Sequence, residues 1–169
     1  MTIGDLVKNG IFSKIADKPI NEIEELDEHY WRPFYQKFQH GTKSYFDEYF
    51  SPFGLIHDQN LKKIDTYSML NVRWKHITDP KEIIQELGSH QDCFLDLKLV
   101  ANNQNLPQEV SKEFRKFNLM PAPSSSFTFL MKITKEFLNG NLDKKEYLLI
   151  LKVLQSFLVR RAVCGLEPT

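Results

Sequence analysis

Residues Leu142 to Cys164 read LDKKEYLLILKVLQSFLVRRAVC, and this stretch decides the fold. Tyr147, Ile150, Leu151, Leu154, Phe157 and Leu158 recur at three- and four-residue steps, the spacing that puts side chains on one face of an α-helix. Leu148, Leu149, Val153, Val159 and Val163 spread over the flanks. The apolar face is therefore wide, and the helix is expected to be packed on most sides. Gly140-Asn141 closes the element before it, Asp143 is placed to cap it, and Glu146 follows three residues on in capping-box spacing. Gly165 and Pro168 mark its end.

Two residues of this helix are candidates for interaction, Arg160 and Arg161. On a wheel of about 100° per residue, Arg161 projects beside Ile150, Leu154 and Phe157, inside the apolar face. Burying a guanidinium unpaired costs several kcal/mol, so a carboxylate, helix-terminal carbonyls or another domain is expected to meet it. The alternative is an arginine in the last turn that serves the terminal carbonyls and the helix dipole.

Working outward, Met120-Pro121-Ala122-Pro123-Ser124-Ser125-Ser126 reads as a turn, with one serine capping a helix over Phe127–Leu138 that turns Leu130, Ile133 and Phe137 inward. Leu106-Pro107 begins the helix before it, carrying Val110, Phe114 and Phe117, after the polar connector Asn102-Asn103-Gln104-Asn105. Asp79-Pro80 places a cap and a first-turn proline on a helix running to about Ala101, with Gly88-Ser89 as a candidate break. A helix is expected from about Asp65 to Ile77. Another, from Lys43 to Phe53, carries Tyr45, Phe46, Tyr49, Phe50 and Phe53, a stripe that reads as core rather than as a cofactor box; Pro52, Gly54 and the polar run His57 to Lys63 read as a loop. Pro19 starts a helix over Ile20–Phe38, with Asn21 as candidate cap and Pro33 placed to kink or split it. Ile3 to Val7 is a short apolar piece, either a first helical turn or a remnant that packed on an absent neighbour.

No stretch alternates apolar and polar residues with β-branched enrichment, so no strands are expected. The fold class is all-α: an irregular bundle of about six to eight helices, residues 1–169 forming one helical domain, a fragment of a longer multidomain protein. The composition, 41% hydrophobic and 26% charged, is that of a globular chain, and thirteen phenylalanines imply thick helix packing or an apolar surface covered by neighbours. Cys93 and Cys164, far apart, suggest neither a disulfide framework nor a zinc knuckle, which fits a reducing compartment. The first residues lack the features of a signal peptide, and no apolar run nears the ~18 residues of a membrane span, so a cytoplasmic location is expected.

Zero net charge argues against an autonomous nucleic-acid binder. The balance is uneven, however: residues 1–97 hold 11 basic against 16 acidic side chains, and residues 98–169 hold 11 against 6. Either the halves attract each other within one fold, or the basic half turns toward nucleic acid gripped by other domains. No phosphate-binding loop occurs, and no two of the five histidines stand four apart. His90-x-x-Cys93 is the one metal-like pair and lacks further ligands. Glu22-Ile23-Glu24-Glu25-Leu26-Asp27-Glu28 reads as a solvated face near a helix start, and Ser124-Ser125-Ser126 as turn chemistry. No catalytic residue, metal or cofactor is expected.

The run Phe157-Leu158-Val159-Arg160-Arg161-Ala162-Val163-Cys164-Gly165-Leu166, followed by Pro168-Thr169, resembles a segment of a bacterial family of unknown-function proteins that includes the GmrSD-type modification-dependent restriction proteins. Phe46-Asp47-Glu48-Tyr49-Phe50 and the Lys62 to Trp74 stretch with Tyr67 are similar to that family's middle segment in order and spacing. The family's plan is a ParB-like N-terminal region, a helical middle and a C-terminal HNH-type nuclease region. Neither an Asp-Gly-Gln-Gln-Arg run nor an HNH motif occurs in these residues. The resemblance thus implies a non-catalytic helical linker of an NTP-dependent, modification-sensing DNA restriction endonuclease in phage defence, coupling sensor and nuclease domains. Arg160 and Arg161 would then lock the junction to the nuclease or touch DNA phosphate. The alternative from another class is a self-contained helical protein-interaction module. If the chain is a truncated piece of a longer protein, exposed apolar surface or homodimer formation is expected from the broad face of the last helix; no membrane partner is expected.

Overall fold

The computed structural model describes residues 1–99, 106–117, 119–120 and 124–165, and these are essentially all-α. They fall into two compact units, Met1–Gln91 and Asp92–Thr169. By this division the first unit carries 11 basic and 14 acidic residues and the second 11 and 8, so the charge asymmetry of the sequence persists between the units.

The first unit opens with α1, Ile3–Phe12, a full helix where the sequence suggested only a short apolar piece. Thr2 caps it: its hydroxyl accepts from Asp5 N at 3.2 Å while the Asp5 carboxylate accepts from Thr2 N at 2.8 Å. Val7 and Ile11 are buried four residues apart, and a short 3-10 turn, Ser13–Ile15, adds Ile15 to the same row. Next come α2 (Ile20–Leu26), one π turn (Asp27–Trp31) and α3 (Arg32–Gln36), without a break. The N-cap is Pro19, and Asn21 lies inside the helix. Pro33 does not split this segment. It sits in the first turn of α3, where the preceding π turn has already displaced the ordinary hydrogen-bond ladder that a proline interrupts.

Gly41, at φ 61°, turns a two-residue antiparallel hairpin, β1 (Gln39–His40) with β2 (Lys43–Ser44), the only strands among the described residues. Helix α4, Phe46–His57, runs through Pro52 and Gly54, which the sequence reading placed in a loop. Both residues are buried, and a Cβ on Gly54 would lie 2.5 Å from Leu61 Cδ2 and 3.3 Å from Thr66 Cγ2. Close packing on α4, rather than a turn, is what the glycine serves. Helices α5 (Thr66–Arg73) and α6 (Pro80–Gly88) complete the unit, with Asp79 capping α6 through Lys81 N at 2.9 Å.

Its core is a run of touching rings. Trp31, Phe34, Phe38, Phe46, Tyr49, Phe50 and Phe53 are all buried. Ring centroids stand 5.0 to 6.4 Å apart at mostly edge-on angles, an arrangement worth about 0.5–1.5 kcal/mol per pair beyond area burial. The Tyr49 hydroxyl donates to Leu87 O, Gln91 Nε2 donates to Phe34 O at 2.6 Å, and Lys14 Nζ donates to both Trp74 O and Ile77 O.

The second unit contains α7 (Gln91–Lys98, apart from its first residue), α8 (Gln108–Phe117), α9 (Ser124–Leu138) and α10 (Lys144–Val163). The break at Gly88-Ser89 is realised between α6 and α7, and α9 starts three residues before the expected Phe127. The Asn102 to Asn105 connector and Pro121 to Pro123 lie outside the described residues. Gly140, at φ 77°, closes α9, and Asn141 N bonds back to Glu136 O at 2.9 Å, a left-handed glycine cap that the sequence located. Phe94, Val110, Phe114, Leu130, Met131, Tyr147 and Leu151 form the core. Inside it the Tyr147 hydroxyl donates to Thr134 Oγ1 at 2.7 Å, and that hydroxyl donates to Leu130 O at 2.6 Å, so both polar groups are satisfied.

Candidate functional site

Helix α10 carries both candidate arginines and several exposed apolar side chains. It starts as the sequence reads: Asp143 Oδ1 accepts from Glu146 N at 2.8 Å, and Glu146 Oε2 accepts from Asp143 N at 3.3 Å. One face is buried, with Tyr147, Leu151 and Leu158 in the core and Gln155 reaching α8, where its amide donates to Glu113 O at 3.2 Å and Glu113 Oε2 at 3.0 Å. Lys116 also holds the Glu113 carboxylate, at 2.7 and 2.8 Å, and this pair, with the Gln155 bond, keeps that carboxyl below its usual range against the opposing effect of burial.

The opposite face is open. Leu149 is 63% exposed, Val153 61%, Phe157 53% and Val163 82%. On a wheel of about 100° per residue, Leu149, Val153 and Phe157 lie within about 80° of arc, with Glu146 and Arg160 inside the same arc. The expectation that α10 is covered on most sides is thus met on one side only. Large exposed side chains scattered singly need no explanation, but three in successive turns of one helix make a continuous stripe. Lys145, Lys152 and Arg160, all exposed, give this side of the helix a cationic margin.

Arg160 is exposed. Arg161 is half-buried, and its guanidinium carbon stands 5.7 Å from the centre of the Phe157 ring, a cation–π contact worth about 0.5–1 kcal/mol at an exposed site. The ring it covers is itself open to solvent. The C-terminal turn is closed by backbone, Cys164 N bonding to Arg160 O at 3.0 Å. The apolar residues 149, 153 and 157 were visible in the sequence as flanking positions. What the sequence did not show is that packing would fall on the Tyr147 and Leu151 side and leave theirs uncovered.

The first unit contains a cleft of about 470 Å³ beside the start of α1, floored by Trp31 and Phe46, with Asp5, Lys8, Tyr35 and Asp47 around it. Its charged groups serve the fold: Asp5 caps Thr2 N, Asp47 Oδ1 accepts from Gly4 N at 2.9 Å, and Lys8 pairs with Asp27 at 3.4 Å. Glu86 binds Arg73 Nη2 at 2.6 Å and Trp74 Nε1 at 2.8 Å, joining α5 to α6. Burial raises the Cys93 thiol to about 11, which suppresses the thiolate that metal binding or nucleophilic attack would need. Among the described residues no group of three or more His, Cys, Asp or Glu side chains is placed to hold a metal ion, and no helix is long and apolar enough to cross a membrane. No family model, no curated protein and no solved structure matches the chain.

Proposed function

We propose that this chain is a non-catalytic helical interaction module whose binding surface is the open face of α10. The observation that carries the reading is the uncovered stripe of Leu149, Val153 and Phe157 with Arg160 at its end. Such a surface takes an α-helix that presents an apolar ridge, with a carboxylate set against Arg160 to complement the cationic margin. The test is binding of an anilinonaphthalene sulfonate dye to the dilute chain. Enhanced fluorescence that largely disappears in Val153→Glu/Phe157→Glu, with unchanged far-UV circular dichroism, supports the reading. A chain that binds no dye, or a double variant that binds it equally, overturns it, as does turnover by the purified chain.

A second reading follows the resemblance to the restriction-linked family, in which α10 hands over to a nuclease and its arginines lock that junction or touch DNA. The observation favouring it is the solvent exposure of Arg160 on a unit that carries 11 basic residues against 8 acidic ones. It requires a DNA affinity that falls steeply with salt and drops further in Arg160→Ala/Arg161→Ala. Absence of any salt-dependent binding removes it and leaves the first reading untouched.

A further inference from the structure

We infer that the helix received by the open face of α10 is α10 of a second copy of this chain, lying antiparallel with Val153 on the two-fold axis. This rests on the reading of that face as an interaction surface. Pairing about Val153 sets Leu149, four residues before it, against Phe157 of the second copy, four residues after it. Glu146 and Arg160 stand seven residues to either side, in the same arc, so each Glu146 meets Arg160 of the second copy. Within the arc of the stripe, outside which Lys145 and Lys152 lie, the two halves are therefore complementary in charge, and each supplies apolar side chains to the other, which is what an isologous contact requires. A parallel pairing would set Glu146 against Glu146 and Arg160 against Arg160, so charge selects the antiparallel orientation. A single pair of helices covers less than the ~1,200 Å² of a stable interface, and the dimer dissociates in the micromolar to millimolar range.

Sedimentation equilibrium of the full chain from about 10 μM to about 1 mM tests the association, since that range brackets a weak interface. The average mass is expected to rise from monomer to dimer. Val153→Glu moves the midpoint up at least about tenfold, Arg160→Glu moves it up several-fold, and adding Glu146→Lys to Arg160→Glu recovers most of that loss, with helicity checked throughout because Glu146 also caps the helix. Orientation is read separately by oxidation. Val153→Cys in a Cys164→Ser background cross-links through the two-fold, whereas the native Cys164 pair, about 33 Å apart in the antiparallel arrangement, does not. A chain monomeric across the range, a Val153→Glu midpoint equal to wild type, or efficient Cys164 cross-linking overturns the inference. A monomer that still binds the dye through the Val153 face leaves the interaction surface standing with another occupant, so the two failures are distinguishable.

Discussion

Glycine at position 4 shows how far one residue can dictate local architecture. A Cβ there would lie 2.5 Å from Phe46 Cδ1 and 2.9 Å from Asp47 Oδ1, so the start of α1 lies directly on the start of α4 only because no side chain intervenes. Gly4→Ala is expected to destabilise the first unit by about 1–3 kcal/mol, as overpacking does, measured by urea unfolding followed through tryptophan fluorescence. Glu113 works through charge instead. Lys116 and Gln155 favour its ionised form in the folded chain, so its folded pKa lies below the ordinary 4.5. The stability it contributes is present above about pH 4.5 and is lost as pH falls through the folded value. Glu113→Gln should therefore flatten the acid limb of a stability-versus-pH curve, and a limb of unchanged steepness would show that the carboxylate contributes nothing.

At the scale of elements, caps were more legible than packing. Asp143 with Glu146, Gly140, and Asp79-Pro80 all stand where the sequence put them, because each satisfies backbone groups within three or four residues and needs no knowledge of the rest of the fold. Thr2 with Asp5 follows the same rule, and the Val7, Ile11, Ile15 row behind it was the signal that α1 is a full helix. Pro52 and Gly54 were misread for a common reason: a proline or glycine ends a helix only when tertiary packing does not outweigh its propensity, and here the buried side of α4 does. Pro33 reads as a kink or a split, and of the two the split does not occur, a π turn standing before it instead. The candidate surface was half legible. Periodicity showed that α10 is apolar around much of its circumference, but which side α8 and α9 would cover depends on contacts remote in sequence. Since the capping box holds the first turn, Asp143→Ala should cost about 1 kcal/mol, seen as a lowered thermal midpoint. Loss of the dye-binding surface without loss of stability, in contrast, belongs to Val153.

At the scale of the whole chain, the two units hold separate cores of different chemistry, and the probes are unequally distributed between them. Both tryptophans, Trp31 and Trp74, are buried in the first unit, and the second has none. Tryptophan fluorescence thus follows Met1–Gln91, while far-UV circular dichroism follows the helices of both. Tyr147 is central to the second core, hydrogen-bonded to Thr134 and stacked on Phe137 with ring centres 4.6 Å apart. Truncating it removes a buried ring and strands the Thr134 hydroxyl's second interaction, so Tyr147→Ala should cost about 3 kcal/mol or more. Each unit has a core of its own and is expected to melt by itself. The variant's dichroism should then lose its α8–α10 helicity at a lower denaturant concentration, with the tryptophan transition left near its wild-type midpoint. If the two probes shift together by the same amount, the units unfold as one cooperative body, and the cores are coupled despite their separate composition.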